Sequence, residues 1–187
     1  MFKSNPEIAF SSVAEIKKYQ ESRLVETLEY INAHSAFYKR MFAENGIDIS
    51  KIRTIEDLTS IPVTNKKDLQ LYNKDFICVP EVELIDYITT SGTLGDPVTF
   101  GLTENDLQRL AYNEKASFTT AGCSASDIMQ LMTTIDRRFM AGLAYFMGAR
   151  ELGCGVVRVG NGIPETVRMS LATCNLWNRL VEFCYEL

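Results

Sequence analysis

Histidine occurs once in these 187 residues, at His34, and no lysine follows Lys115. The five cysteines, at 78, 123, 154, 174 and 184, are odd in number and form no C-x-x-C pair. With one histidine beside them they make neither a zinc set nor a disulfide framework, which points to reduced, mostly buried thiols in a cytoplasm. Long apolar runs are missing too, so no segment is expected to span a bilayer and no membrane partner is expected. The opening Met1-Phe2-Lys3-Ser4-Asn5 lacks the basic start and apolar stretch of a secretory signal. A basic face with interleaved aromatics is also absent, and nucleic acid is not expected as a partner.

What is present is the composition of a globular protein that can bury a core, with 46% hydrophobic and 23% charged residues. The net charge of −5 is unevenly spread. Residues 1–80 balance eleven basic against eleven acidic side chains, whereas residues 81–136 hold only Arg109 and Lys115 against nine carboxylates. Residues 137–187 reverse the bias with six arginines and four acids. An anion held in the acidic middle stretch therefore needs backbone N–H groups, a metal ion or cations brought from elsewhere.

The chain reads as a helical unit followed by an α/β unit. Ser12 and Glu15 have the spacing of a capping box, and Val13, Ile16, Leu24, Leu28 and Ile31 recur at helical spacing, so 12–33 is one helix. A second helix, 35–45, ends at Gly46, and shorter helices are expected over 52–62 and 64–72, split at Pro62. His34 sits at the first junction. After Pro80 the pattern changes to strands at 84–90, 97–100, 127–133 and 155–159. Helices over 103–120 and 137–152 separate them, the first opened by Thr103 and Asp106, the second carrying small residues for close packing. Strand–helix–strand at this spacing implies a right-handed crossover and a parallel sheet. Tyr87 and Tyr112 read as packing residues. The organisation expected is a helical subdomain over 1–80, an α/β subdomain over 81–165 and a helical tail over 166–187.

Between the first two strands lies Thr89-Thr-Ser-Gly-Thr-Leu-Gly-Asp-Pro-Val-Thr-Phe100. Thr90, Ser91 and Thr93 offer hydroxyls, and Gly92 and Gly95 permit the backbone curvature of a phosphate cradle. The stretch is not a Walker A loop, because Asp96 follows the second glycine and a strand, not a helix, comes next. Read on spacing alone, a tight hairpin turn explains the same residues at least as well.

The run Ser91-Gly-Thr-Leu-Gly-Asp-Pro97 after a strand ending Thr-Thr resembles the phosphate-binding signature of adenylate-forming enzymes. Its flanks narrow the resemblance. Ala33-His-Ser-Ala-Phe-Tyr-Lys-Arg-Met-Phe42, Ile61-Pro-Val-Thr-Asn-Lys-Lys-Asp-Leu69, Leu102-Thr-Glu-Asn-Asp-Leu107 and Val159-Gly-Asn-Gly-Ile-Pro164 are similar, in order, to the N-terminal region of phenylacetate–CoA ligases. The resemblance implies an α/β fold in which a helical cap precedes part of the N-domain sheet, with a parallel βαβ unit and a strand pair around the glycine loop. It implies ATP, Mg²⁺ and CoA as cofactors and a small carboxylic acid, with an aryl acid as the family's prior, as substrate. Thr90, Ser91, Gly92, Thr93 and Gly95 would hold the ATP phosphates. Leu94 stands where the signature usually has a hydroxyl, and Asp96 where lysine or glutamate is common; an aspartate there must face away from phosphate or meet the metal.

The same resemblance places Asp136, Arg137, Arg138 and Phe139 near the acyl pocket and the CoA mouth. Phe139 and Met140 would line an apolar pocket, and Asp136, Arg137 or Arg138 would meet carboxylate or CoA phosphates. Read on the residues alone, Asp136 caps the following helix and the arginines are solvated first-turn residues. The family's adenine, ribose and catalytic-lysine motifs are not found in this sequence, and the likeness fades after about Pro164. The chain is therefore expected to be an N-terminal portion that is incomplete for turnover and has no catalytic residue of its own. Its exposed sheet edge predicts self-association or a homodimer. The alternative expectation is a non-catalytic nucleotide-binding or dimer-assembly module on the same fold.

Overall fold

A computed structural model of the chain describes residues 6–90, 97–136, 138–160 and 180–183. It divides into two compact units, Met1–Pro80 and Glu81–Leu187.

The first unit is helical. Helix α1 (Val13–His34) opens on the expected capping box: the Ser12 side chain accepts the Glu15 N–H while the Glu15 carboxylate takes the Ser12 N–H. Helix α2 (Ala36–Glu44) follows with only Ser35 between, and its end is turned by Gly46 at φ +63°. Leu28, Phe42 and Ile52 form the core, with Leu24, Ile31, Met41 and Ile61 packed around them. An aromatic stack, Phe37 on Phe76 at 4.1 Å, lies under Arg40, which sits 4.8 Å from the Tyr72 ring and 3.0 Å from Asp75. His34, in the last turn of α1, packs on Tyr30 with ring centroids 4.6 Å apart. Helix α3 (Lys66–Leu71) is opened by a reciprocal Asn65–Asp68 box.

The helix expected over 52–62 shrinks to one 3₁₀ segment, Glu56–Ser60. The Asp57 carboxylate explains the late start, since it accepts the N–H groups of Arg53 at 2.9 Å and Thr54 at 2.8 Å and fixes both outside the helix. Those two backbone bonds hold the Asp57 carboxyl below its usual range. A depressed folded value gives stability that is present above the ordinary carboxylate pKa and lost as the pH falls through the folded one. Wild type is therefore expected to exceed Asp57→Ala in urea midpoint at neutral pH, with the gap closing once the pH drops below about 3.9. A gap that stays constant down to acid pH would contradict this.

The second unit begins with a hairpin, β1 (Asp86–Thr89) antiparallel to β2 (Thr99–Leu102), with Thr89 opposite Thr99 and Tyr87 opposite Gly101. Helix α4 (Glu104–Thr120) starts on the expected Thr103–Asp106 box. Then β3 (Ile128–Leu131), α5 (Met140–Leu152) and β4 (Gly155–Arg158) form the anticipated βαβ unit, with β3 and β4 parallel and Met129 beside Val156. A fifth strand, β5 (Leu180–Phe183), pairs parallel on the other side of β3, giving the order β4-β3-β5. The helical tail expected over 166–187 is corrected at these four residues. A Leu-Val-Glu-Phe run is too short to declare itself, and its partner strand is remote in sequence. Phe118, Cys123, Met129, Ala149 and Cys154 form the core under the sheet. Cys78, Cys123 and Cys154 carry free thiols, and burial pushes all three above the usual thiol range. Tyr87 and Tyr112, read as packing residues, are instead 41% and 42% exposed. Among the described residues no helix is long and apolar enough to cross a membrane.

Candidate functional site

The glycine loop is the connection of the β1–β2 hairpin. Ser91, Gly92, Thr93 and Gly95, with Leu94 and Asp96, lie outside the described residues; Thr90 and Pro97 flank them. The neck of the loop is closed by two hydrogen bonds. The Thr90 N–H donates to the Val98 carbonyl at 3.0 Å, and the Val98 N–H donates to Thr90 Oγ1 at 3.0 Å. Thr90 thus spends an acceptor position of its hydroxyl on the neck and keeps the O–H as a donor. Val98, 2% exposed, anchors this closure in the unit.

The second group of predicted residues comes to the same place. The Thr89 N–H, one residue before the neck, donates to the Arg138 carbonyl at 3.2 Å. The segment before α5 is folded on itself: the Thr134 hydroxyl bonds the Asp136 carboxylate, the Asp136 N–H donates to Thr134 Oγ1 at 3.2 Å, and the Phe139 N–H donates to the Asp136 carbonyl at 3.1 Å. Arg138 adopts a left-handed backbone, φ +60°. Arg137 lies outside the described residues.

Asp136 does not cap the helix. Helix α5 begins at Met140 rather than at 137, and its N-cap is Phe139, which offers no side-chain oxygen. The left-handed turn at Arg138 delays the helix, since a residue at positive φ cannot continue a right-handed spiral into it. Phe139 and Met140 are 40% and 38% exposed, an apolar pair at the helix entrance.

Gly142 is one of the small residues that suit the 137–152 helix to close packing, and the structure gives the reason. A Cβ built on it would overlap the Thr134 carbonyl oxygen and stand 3.1 Å from Thr133 Oγ1. The absence of a side chain lets Thr133 and Thr134 lie directly on the first turn of α5. The bond from Thr89 to Arg138 has no sequence signal, because its acceptor is a backbone carbonyl that any residue would supply. Among the described residues no cluster of three or more histidine, cysteine or carboxylate side chains is placed to hold a metal ion. The site's described assets are the Thr90 hydroxyl, the Asp136 carboxylate, the exposed Phe139 ring and Arg138.

No protein-family model matches the chain. It is 33% identical over 161 residues to the phenylacetate-coenzyme A ligase of Thermus thermophilus, covering 86% of this chain and 36% of the relative. It is 31% identical over 159 residues to the enzyme of that name from Escherichia coli K12, covering 84% of this chain and 36% of the relative. Among solved structures, a 2-hydroxyisobutyryl-CoA ligase in complex with 2-HIB-AMP and CoA superposes with a TM-score of 0.80 at 26% identity, over 90% of this chain and 36% of that one. The chain thus spans about a third of the length of the curated relatives it matches. It has the mixed α/β fold of that part of an acid–CoA ligase, a helical N-terminal region followed by small sheets. Over most of its length it is a homologue of phenylacetate-coenzyme A ligases.

Proposed function

We propose that this homologue of phenylacetate-coenzyme A ligases is the N-terminal portion of a carboxylate–CoA ligase, and that its glycine loop is the ATP phosphate cradle. In that reaction the acid's carboxylate oxygen attacks the α-phosphorus of ATP, pyrophosphate leaves, and the CoA thiol then attacks the acyl carbon and expels AMP. Ser91, Thr93 and the loop's backbone N–H groups would hold the β- and γ-phosphates, and Gly92 and Gly95 would let the backbone approach them. Mg²⁺ would enter on the nucleotide's own phosphates. The observation that carries this reading is the neck. Thr90 and Val98 close the glycine segment into a loop held at a hairpin tip, and the Thr90 O–H is left as a donor beside it. The donor set of hydroxyls and amides suits an anion in a stretch short of cations.

Phe139 and Met140 are offered as part of the wall for the acid's organic group, and an aryl acid suits an aromatic wall. Arg138 and Arg137 are the cations closest in sequence to that wall. The chain spans about a third of the length of the relatives it matches, and alone it is expected to bind nucleotide and not to turn over.

The test is calorimetric titration with Mg·ATP. Ser91→Ala and Thr93→Ala are each expected to weaken binding about tenfold, the worth of one charge-assisted hydrogen bond. ATP–pyrophosphate exchange driven by aryl acids is expected to be absent from the 187-residue chain. Binding that ignores both substitutions would leave the loop as a turn, and acid-dependent exchange by the isolated chain would refute the expectation of incompleteness.

A further inference from the structure

A site that joins an acid to a nucleotide must fix the distance between the phosphates and the acid. We propose that Arg138 and Gly142 are positioning residues that lock Thr134 and Phe139 to the neck of the glycine loop, Arg138 acting through its backbone rather than its charge. This rests on the cradle reading for its functional meaning, though not for its geometry.

Arg138 lies within the span of the bond by which the Phe139 N–H meets the Asp136 carbonyl, and its own backbone stands at φ +60°. A positive φ at that place normally falls to glycine or asparagine. An arginine held at φ +60° is a strained backbone that persists only where its surroundings over-determine it. Two surroundings do so. On one side the Arg138 carbonyl receives the Thr89 N–H, so the turn is fastened to β1 one residue before the neck. On the other, Gly142 admits the Thr134 carbonyl onto the first turn of α5, where any side chain would overlap it. Phe139 follows Arg138 directly, and Ser91 is two residues beyond Thr89. The acid wall and the phosphate loop are thereby tied by one backbone hydrogen bond. Adenylation needs the carboxylate oxygen and the α-phosphorus within about 3–3.5 Å, so a tie of this kind sets reactivity as well as stability.

The test is residue-resolved amide exchange by NMR on the 187-residue chain, comparing wild type with Arg138→Gly, Arg138→Val and Gly142→Ala. Both Arg138 variants lose the guanidinium, but glycine accepts the left-handed turn and a β-branched residue resists it. Exchange at Thr89 is expected to accelerate at least about tenfold in Arg138→Val and Gly142→Ala and to stay at the wild-type rate in Arg138→Gly. The Thr90 amide, bonded to Val98, is expected to hold its rate in Arg138→Val. Equal rates in the two Arg138 variants would overturn the proposal, and should Gly142→Ala unfold the unit, that pair alone decides. In a parallel Mg·ATP titration, Arg138→Val is expected to bind severalfold more weakly than Arg138→Gly. A wild-type chain that binds no Mg·ATP would sink the cradle reading, while the Thr89 pattern would still uphold or overturn the tie.

Discussion

Gly148→Ala is expected to destabilise the 81–187 unit by about 2 kcal/mol, against the gain a glycine-to-alanine change usually brings to a helix. A Cβ at this position would strike the Glu114 Cβ and stand 3.0 Å from the Glu114 carbonyl carbon and the Lys115 nitrogen. Two of these atoms are α4 backbone, which cannot swing aside as a flexible side chain would. The two helices must part, and the cluster of Phe118, Cys123, Met129, Ala149 and Cys154 beneath them loosens. The intrinsic helix preference of alanine returns at most about 1 kcal/mol, so the overlap wins. The Lys115–Glu151 pair, at 3.3 Å across the same crossing, is half-exposed and cannot hold the helices together. Gly148→Val should be worse than Gly148→Ala. Urea titration decides: an unchanged or raised midpoint for Gly148→Ala would mean that α4 and α5 do not touch there.

Ser35→Ala is expected to cost about 2 kcal/mol, roughly the sum of a lost helix cap and a half-buried acceptor left unpaired. Ser35 is 1% exposed and stands at three junctions. Its N–H ends α1 on the Ile31 carbonyl, its Oγ accepts the Tyr38 N–H at 3.3 Å to start α2, and the same hydroxyl donates to the Asp75 carbonyl at 2.8 Å. Alanine removes the last two together. Ser12 provides the contrast, since it caps α1 in full view of solvent and water can replace what it gives. Ser12→Ala is expected to cost no more than about 1 kcal/mol. Equal losses at the two serines would show that burial adds nothing at Ser35.

Both serines were readable in the sequence as helix starts or junctions, because a cap is a local device: donor and acceptor lie three residues apart. The same holds for Thr103 with Asp106, and for the short apolar and β-branched runs that marked β1, β2, β3 and β4. Strand–helix–strand spacing made the parallel β3–β4 pair legible as well. What escaped was decided at a distance. The start of α5 moved from 137 to Met140 because Arg138 is held left-handed by a bond to β1, and no arginine advertises that conformation. Glu56–Ser60 is short because the Asp57 side chain captures two N–H groups upstream, a competition that periodicity does not register. Leu180–Phe183 became a strand only by finding β3. At the candidate site, Thr90 was named for its hydroxyl and is placed beside the loop; the hydroxyl's role in closing the neck, and the tie from Thr89 to Arg138, required the fold.

The strand order β4-β3-β5 also has a consequence in time. The β1–β2 hairpin pairs near neighbours, and such hairpins close in about 1–10 μs. Strand β3 acquires β4 through the short α5 crossover, but Ile128 must wait for Leu180 before its other edge is covered. Pairings that distant in sequence form late, because the entropy of closing the intervening loop is lost before any contact repays it. During synthesis the central strand of this sheet is therefore an outer one, its Ile-Met-Gln-Leu backbone open to any other chain until residue 183 has left the ribosome.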